Sequence, residues 1–354
     1  MAYTTIDDPT VYFNTLLYTG NGSARSITGV GFQPDWVWVK VRSQAHNHYL
    51  YDAVRGAQEK LSSNTTAAEI DMGSDGLTAF NADGFSMGTD TDENASGQTY
   101  VAWNWKAGDS NTSVSSSGSG NGAINACTHR ANTTAGFSII KYTGLNSEIS
   151  NGQQTKVTHG LGVKPDFLIM KNKDSSSDWI VTRGTNNDDH LNLNNTDAAS
   201  GSLFTGNQNQ SDSTHFVVGN EPAVNANGDE FIAYVFTEKK GFFKFGSYVA
   251  NGNSDNAFVY TGFRPAFVMT KLSSTSGGGW EIVDSKRDGY NGENNRLYPN
   301  DNATEGTGND YDLLSNGFKV RQSGGSQQSG RTNIYMAFAE SPFVNSNGVP
   351  NNAR

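Results

Sequence analysis

Apolar residues in this chain come in short runs, each closed by Gly, Asn or Asp, and no long stretch repeats with the 3.6-residue period of an amphipathic helix. Short apolar runs bounded by turn residues predict strands. The one helix-like stretch is "DAVRGAQEKL" around Gln58, which predicts one or two helical turns. The strongest run is Gly31 to Lys40, "GFQPDWVWVK". Two further segments match it position by position: "GVKPDFLIMK" from Gly162 and "GFRPAFVMTK" from Gly262. Within it Trp36, Trp38 and Lys40 fall on one face and Val37 and Val39 on the other. Apolar residues on both faces predict an interior strand, with the lysine marking its emergence into solvent. Pro34, Pro165 and Pro265 suit strand starts, because proline fixes its φ and has no N–H to leave unpaired.

The match extends past this motif. An apolar strand and a Gly- or Asn-rich turn precede each copy: "LLYTGNG" from Leu16, "FSIIKYTG" from Phe137 and "FFKFGSYVANG" from Phe242. A second strand follows: "HYLYDAVRG" from His48, "DWIVTRG" from Asp178 and "WEIVDSKRDG" from Trp280. Then come "DGFSMG" from Asp83, "HFVVG" from His215 and "NGFKV" from Asn316. Each copy ends on aromatic, apolar, Ala, aromatic, with Ala102, Ala233 and Ala337 placed to lie buried under facing rings. One order in triplicate predicts an all-β chain of three tandem antiparallel β-sandwich repeats, jelly-roll-like, over residues 1–107, 137–240 and 241–344. Residues 108–136, rich in Gly, Ser and Asn, read as a linker, and 345–354 as a loose tail. The stretches Gln58–Phe80, Gly184–Ser213 and Gly289–Leu314 differ between copies, as surface loops do.

Composition narrows the function classes. The 354 residues are 35% hydrophobic and 11% aromatic, with 40 glycines, which suits ring-filled cores and polar loops rather than broad aliphatic helix faces. The net charge of -10, without a Lys/Arg run, argues against general nucleic-acid binding, which needs a basic surface. A single cysteine, Cys127, excludes an internal disulfide framework. The first residues show no secretory signal pattern, and no apolar run is long enough to span a bilayer, so no membrane insertion is expected and release by cell lysis is the expected route of any export.

Candidate chemistry is sparse. Nucleophile-elbow, P-loop, zinc-protease and dinucleotide motifs are missing. Cys127 and His129 sit in the linker-like stretch, and His46 with His48 lacks a third ligand close by. Asp90, Asp92 and Asn94 occupy positions 1, 3 and 5 of a calcium loop, but Ala95 and Val101 fall where that loop needs Gly and Glu, so a solvated acidic turn is the plainer reading. Asp188, Asp189 and His190 form a polar knot in the second unit. "RDGYNGENN" in the third offers Tyr290, Asn291 and Asn294 for contact with a ligand such as a sugar. Trp179 and Trp280, at equivalent places, read as core. No cofactor is expected.

The stretches "MAYTTIDDP", "YTGNGS", "QPDWVWVK", "LYDAVRGA", "LTAFNADGFSMG", "GQTYVAWNWKAG" and "IYMAFAESPF" resemble a family of repeat proteins from marine bacteriophages and metagenomic phage sequences. The resemblance covers all three units and is weakest in the second. It implies a phage virion structural or appendage protein, of the tail-fibre or spike kind, located on the virion and not an enzyme. Its implied partners are other virion proteins of tail or capsid and a host-surface glycan, met by a homo-oligomer, with a trimer expected. A capsid-decorating or head-fibre protein and a polysaccharide depolymerase are the alternatives.

Overall fold

The opening motifs become strands buried on both faces. In Trp36–Val41 and in Phe167–Asn172 every residue is buried. Pro34 and Pro165 stand two residues before these strands. Pro265 lies inside the longer strand Phe263–Leu272, at a register shift that spares the missing N–H. This is a computed structural model, and it describes residues 3–146, 150, 153–183, 189–201, 210–287, 291–292, 294–308 and 310–350. Strands take up 46% of the chain and helices 5%, so the fold is all-β.

Three successive stretches build one strand order. In the first, Phe13–Thr19, Thr99–Trp105, Trp36–Val41 and Tyr49–Asp52 pair in that order in an antiparallel sheet. In the second the same order runs Phe137–Thr143, Glu230–Phe236, Phe167–Asn172, Ile180–Arg183. In the third it runs Phe243–Val249, Thr332–Pro342, Phe263–Leu272, Trp280–Asp284. A smaller sheet accompanies each: Arg25–Thr28 with Gly84–Met87 and Leu77–Asn81, Gln154–Thr158 with His215–Gly219, and Phe258–Tyr260 with Gly317–Val320 and Tyr311–Leu314.

Strand alternation divides the large sheets between two cores. In the first unit Val37, Val39, Tyr51, Tyr100 and Ala102 pack on Ile27, Phe85 and Met87 of the small sheet, a sandwich-like core. In the second, Leu168, Met170, Phe231 and Ala233 pack on Val157 and Phe216. The opposite faces of the large sheets meet in one common core. Trp36, Trp103 and Trp105 from the first unit, Phe167 and Tyr234 from the second, and Phe267 and Phe338 from the third belong to it. Trp36 stacks on Trp105 and on Tyr234 of the second unit, both at 4.2 Å between ring centroids. Phe13 stacks on Phe338 of the third at 5.0 Å. Rings fill this space because offset and edge contacts let large flat groups pack closely.

Like contacts join the units in a closed cycle. Backbone N–H groups donate from Glu69 to Lys173, from Ala199 to Ser273 and from Glu305 to Arg42, at 2.8, 2.9 and 3.0 Å. Trp179 Nε1 donates to the Ser62 carbonyl and Trp280 Nε1 to that of Asn192, each at 2.8 Å. His48 takes the equivalent place in the first unit. Its Nδ1 accepts from Trp38 Nε1 at 3.0 Å, and it lies by the backbone of Tyr298 in the third unit. The second unit therefore leans on the first, the third on the second and the first on the third.

Among the described residues, two of the three junctions carry buried ion pairs. Between the second unit and the first, Asp52 pairs with Arg55 at 2.5 Å and accepts from Tyr234 Oη at 2.9 Å, while Glu69 takes Arg55 and Lys173. Between the first and the third, Asp284 pairs with Arg287 at 2.6 Å and accepts from Trp103 Nε1 at 3.0 Å, while Glu305 takes Arg287 and Arg42. Strand register puts Arg183 at the aspartate's place in the second unit and Met336 at the donor's place in the third. Ala199 and Ser273 replace the acid and the cation there. Among the described residues, donor and acceptor are thus lost together, which avoids stranding half of a buried pair.

The structure corrects three sequence expectations. Lys40, Lys171 and Lys271 do not emerge into solvent: they are 0%, 0% and 1% exposed. Their ammonium groups turn back onto backbone carbonyls, Lys40 to Val41 and Gln44, Lys171 to Asn172 and Ser175, Lys271 to Leu272 and Gly278. Lys271 also reaches Asp197 of the second unit at 2.8 Å, and Lys40 reaches Asn302 of the third at 3.4 Å. The stretch around Gln58 is a strand, Gly56–Ser62, not a helix. Asp52 accepts the N–H groups of Val54 and Arg55, which reverses the chain, and Gly56 with φ 123° completes the bend. The expected linker contains strands Thr112–Val114 and Cys127–Asn132, which extend the second unit's large sheet. Its composition is that of the turns around Ser115–Gly122; Cys127 and His129 alternate inward as a strand requires.

Candidate functional site

The sequence candidates fall on three separate places. Asp188 and Tyr290 lie outside the described residues. Asp189 is exposed, and His190 opens the short strand His190–Asn192 opposite Thr182, with Nε2 3.4 Å from Ser200 Oγ. Burial holds the His190 imidazole below its usual pKa. Asn291 spends its amide on the backbone of Leu313, donating at 3.2 Å and accepting at 2.8 Å. That pins its loop to the strand Tyr311–Leu314. Asn294 begins the strand Asn294–Arg296. Among the described residues, none from the second-unit knot touches the third-unit loop.

Asp90, Asp92 and Asn94 sit on a single helical turn, Thr91–Asn94, and their polar atoms already have partners. Asp90 caps the turn and pairs with Lys60 at 3.0 Å. Asp92 accepts from Tyr49 Oη at 2.5 Å and meets His46 Nδ1 at 2.7 Å. The Asn94 amide donates to the carbonyls of Ser23 and Gly88. Among the described residues no group of three or more His, Cys, Asp or Glu could hold a metal ion.

Sequence reasoning passed over Glu93 in the same turn. It is fully buried, accepts from Tyr51 Oη at 2.6 Å and lies 3.5 Å from Lys60 Nζ. Burial lifts its carboxyl pKa to about 7; Lys60 and the tyrosine hydrogen bond pull it partly back. The spacing Asp90-x-x-Glu93 is that of an N-cap followed by a third-position acid, a signal of a helix start that was open to reading. A carboxyl without solvent-exposed surface cannot meet a substrate, so this network locks the turn to the strand Tyr49–Asp52.

Two open clefts among the described residues hold about 510 Å³ each. One is lined by Phe32, Asp35, Lys106 and Arg130. Asp35, its pKa lifted to about 6 by burial, accepts from Arg130 at 2.8 Å and from the Ala107 N–H at 2.8 Å. Asp166 accepts the equivalent N–H, that of Glu238, so this aspartate ties strands in two units and is structural. The other cleft lies on the third unit between Tyr3, Lys240, Lys244 and Tyr260. The two phenol oxygens are 3.2 Å apart, and Tyr3 Oη donates to the Gly262 carbonyl at 2.9 Å. The Lys240 ammonium lies 4.2 Å from the centre of the Tyr3 ring. Rings, hydroxyls and cations together suit a polar ligand with a flat apolar face.

The chain belongs to a family described as a domain of unknown function, DUF7483, which matches residues 8–342. No curated protein and no solved structure matches it.

Proposed function

We propose that the chain is a surface protein of a bacteriophage virion, a tail-fibre or spike-like appendage that attaches the particle to its host, with a surface glycan as the contact. In this reading the three units are tandem jelly-roll-like repeats of one sandwich. The protein binds rather than catalyses, and it assembles with other virion proteins as a homo-oligomer. The observation that supports this best is the division between like cores and unlike loops. Strand order and inter-unit contacts recur three times, while the stretches between the second and third motifs differ in length and sequence apart from the contact positions Glu69, Ala199 and Glu305. A rigid β body with variable outer loops is how binding surfaces are commonly displayed. The three units already close on one another, so a homotrimer would use their outer faces.

The test is immunoelectron microscopy of particles from the phage that encodes the chain, paired with adsorption assays in which purified protein competes with the particle. Label on the tail and competitive inhibition support attachment. Label confined to the capsid, without inhibition, replaces this reading with a decorating role. Particles without label refute the virion assignment.

A further inference from the structure

We propose that the Tyr3–Tyr260 cleft of the third unit binds an anionic saccharide, a sugar carrying a carboxylate or sulfate; this rests on the glycan-attachment reading and supplies its ligand class. The pairings Ile27 with Phe85, Val157 with Phe216 and Val259 with Phe318 align the first strands of the three small sheets. Thr28 and Thr158 then fall where Tyr260 stands, and Ser26 and Lys156 where Phe258 stands. Only the third unit puts two rings on this outer face, and each is 47% exposed. Their strand is the edge of its sheet. The core does not need these rings, since two units do without them.

The cleft is also cationic. In a chain of net charge -10, Lys239, Lys240 and Lys244 line this one cleft with a single acid, Glu238. Among the described residues none of the three lysines has a carboxylate within ion-pair distance. Lys240 is held over the Tyr3 ring, and Lys244 donates to the Tyr260 carbonyl at 3.2 Å. The Lys240 and Lys244 ammonium groups are thus held in place without an ion-pair partner among the described residues. A cleft of about 510 Å³ takes one or two sugar rings, with Tyr260 as a stacking platform and the adjacent phenol oxygens able to donate and accept with sugar hydroxyls. Phe258, two residues along the same face, continues the platform for the next sugar of a polymer.

Isothermal titration of the full chain decides this, using a galacturonate hexasaccharide, a sulfated heparin hexasaccharide and neutral maltohexaose. Binding of at least one anionic probe below about 1 mM is expected, weakening with added salt, and maltohexaose should bind about tenfold more weakly or not at all. Tyr260→Ala and the pair Lys240→Gln with Lys244→Gln should each raise Kd about tenfold or more. Both sites are at the surface, so unchanged melting temperatures verify folding. Failure of both anionic probes, equal binding of maltohexaose, or binding that survives Tyr260→Ala overturns the proposal. Purified chain that competes for adsorption yet ignores both anionic probes keeps the attachment role and loses this ligand. Chain that binds a probe through Tyr260 without competing keeps the ligand and loses the role.

Discussion

Three buried lysines that among the described residues have no carboxylate partner make a specific demand on the pH dependence of stability. Burial lowers Lys40, Lys171 and Lys271 from an ordinary value near 10.5 to about 8, against weaker support from nearby acids. Between pH 8 and 10.5 the unfolded chain holds three protons that the folded chain has begun to release. The lysine contribution to stability therefore rises with pH across this window. Taking these two values, each lysine adds about 2 kcal/mol between pH 7 and pH 9.5, since a tenfold difference in proton affinity between the two states is worth about 1.4 kcal/mol. The three together add about 6 kcal/mol. Toward pH 10 this gain is opposed, because burial holds the Cys127 thiol up at about 11 and buried tyrosines such as Tyr18, Tyr142 and Tyr311 resist ionising in the fold while the unfolded chain ionises freely. Urea denaturation at constant ionic strength, in half-unit steps from pH 7 to 9.5, measures this directly. Lys271→Met should lower the pH-dependent gain by about one third, or about 2 kcal/mol. At pH 7 the same variant should still be less stable, since removing the ammonium leaves the carbonyls of Asp197, Leu272 and Gly278 without it, at about 1–3 kcal/mol each. A wild-type stability that is flat or falls from pH 7 to 9.5, or an unchanged slope in Lys271→Met, refutes the reasoning.

Further outcomes follow from the same geometry. Ala337 is fully buried opposite Val268, so Ala337→Leu should cost about 1–3 kcal/mol by overpacking, read as a lowered melting temperature. Tyr234→Phe keeps the ring stacked on Trp36 but removes the donor to Asp52, and should cost about 1.5–3 kcal/mol in denaturant titrations. Glu93, lifted to about 7, makes the folded state lose stability as pH rises from 4.5 to 7; Glu93→Gln should remove that loss, and an unaltered acid-side profile would contradict its burial as a proton-holding group.

Much of the fold is legible in the sequence because it is local. Prolines before two-sided apolar runs mark the central strands, and a recurring Ala between large residues marks where facing strands come close. The aromatic content anticipates ring-filled cores, with Trp179 and Trp280 inside them. What escapes the sequence is contact between units. One of the three carbonyls that receive Lys271 belongs to Asp197 in the second unit, and no spacing rule links the two. A lysine ending an apolar run looks identical whether it meets water or a neighbour's backbone. The strand Cys127–Asn132 is hidden for another reason: its alternation is brief and lies beside Gly/Ser turns that dominate a composition window. Of the candidate residues, Asn291 and Asp92 are polar in loops or turns as expected, yet are occupied by Leu313 and Tyr49. The tyrosine cleft stays hidden because it joins Tyr3 to Tyr260, 257 residues apart.

The closed cycle of contacts also dictates when the protein can finish folding on the ribosome. Trp103 and Asp284 are 181 residues apart, Ser63 and Pro299 236, and Arg42 and Glu305 263. At about 5–20 residues per second, the first unit waits roughly 10–50 s for the partner that covers its tryptophan face. Throughout that interval Trp103 and Trp105 lack Phe267, the ring that later meets both at 5.9 Å. A nascent chain stalled after its second unit would carry an uncovered aromatic sheet, prone to capture by chaperones or by another stalled chain. The three units are thus alike in wiring but not independent in synthesis: the last one made is the one that seals the other two.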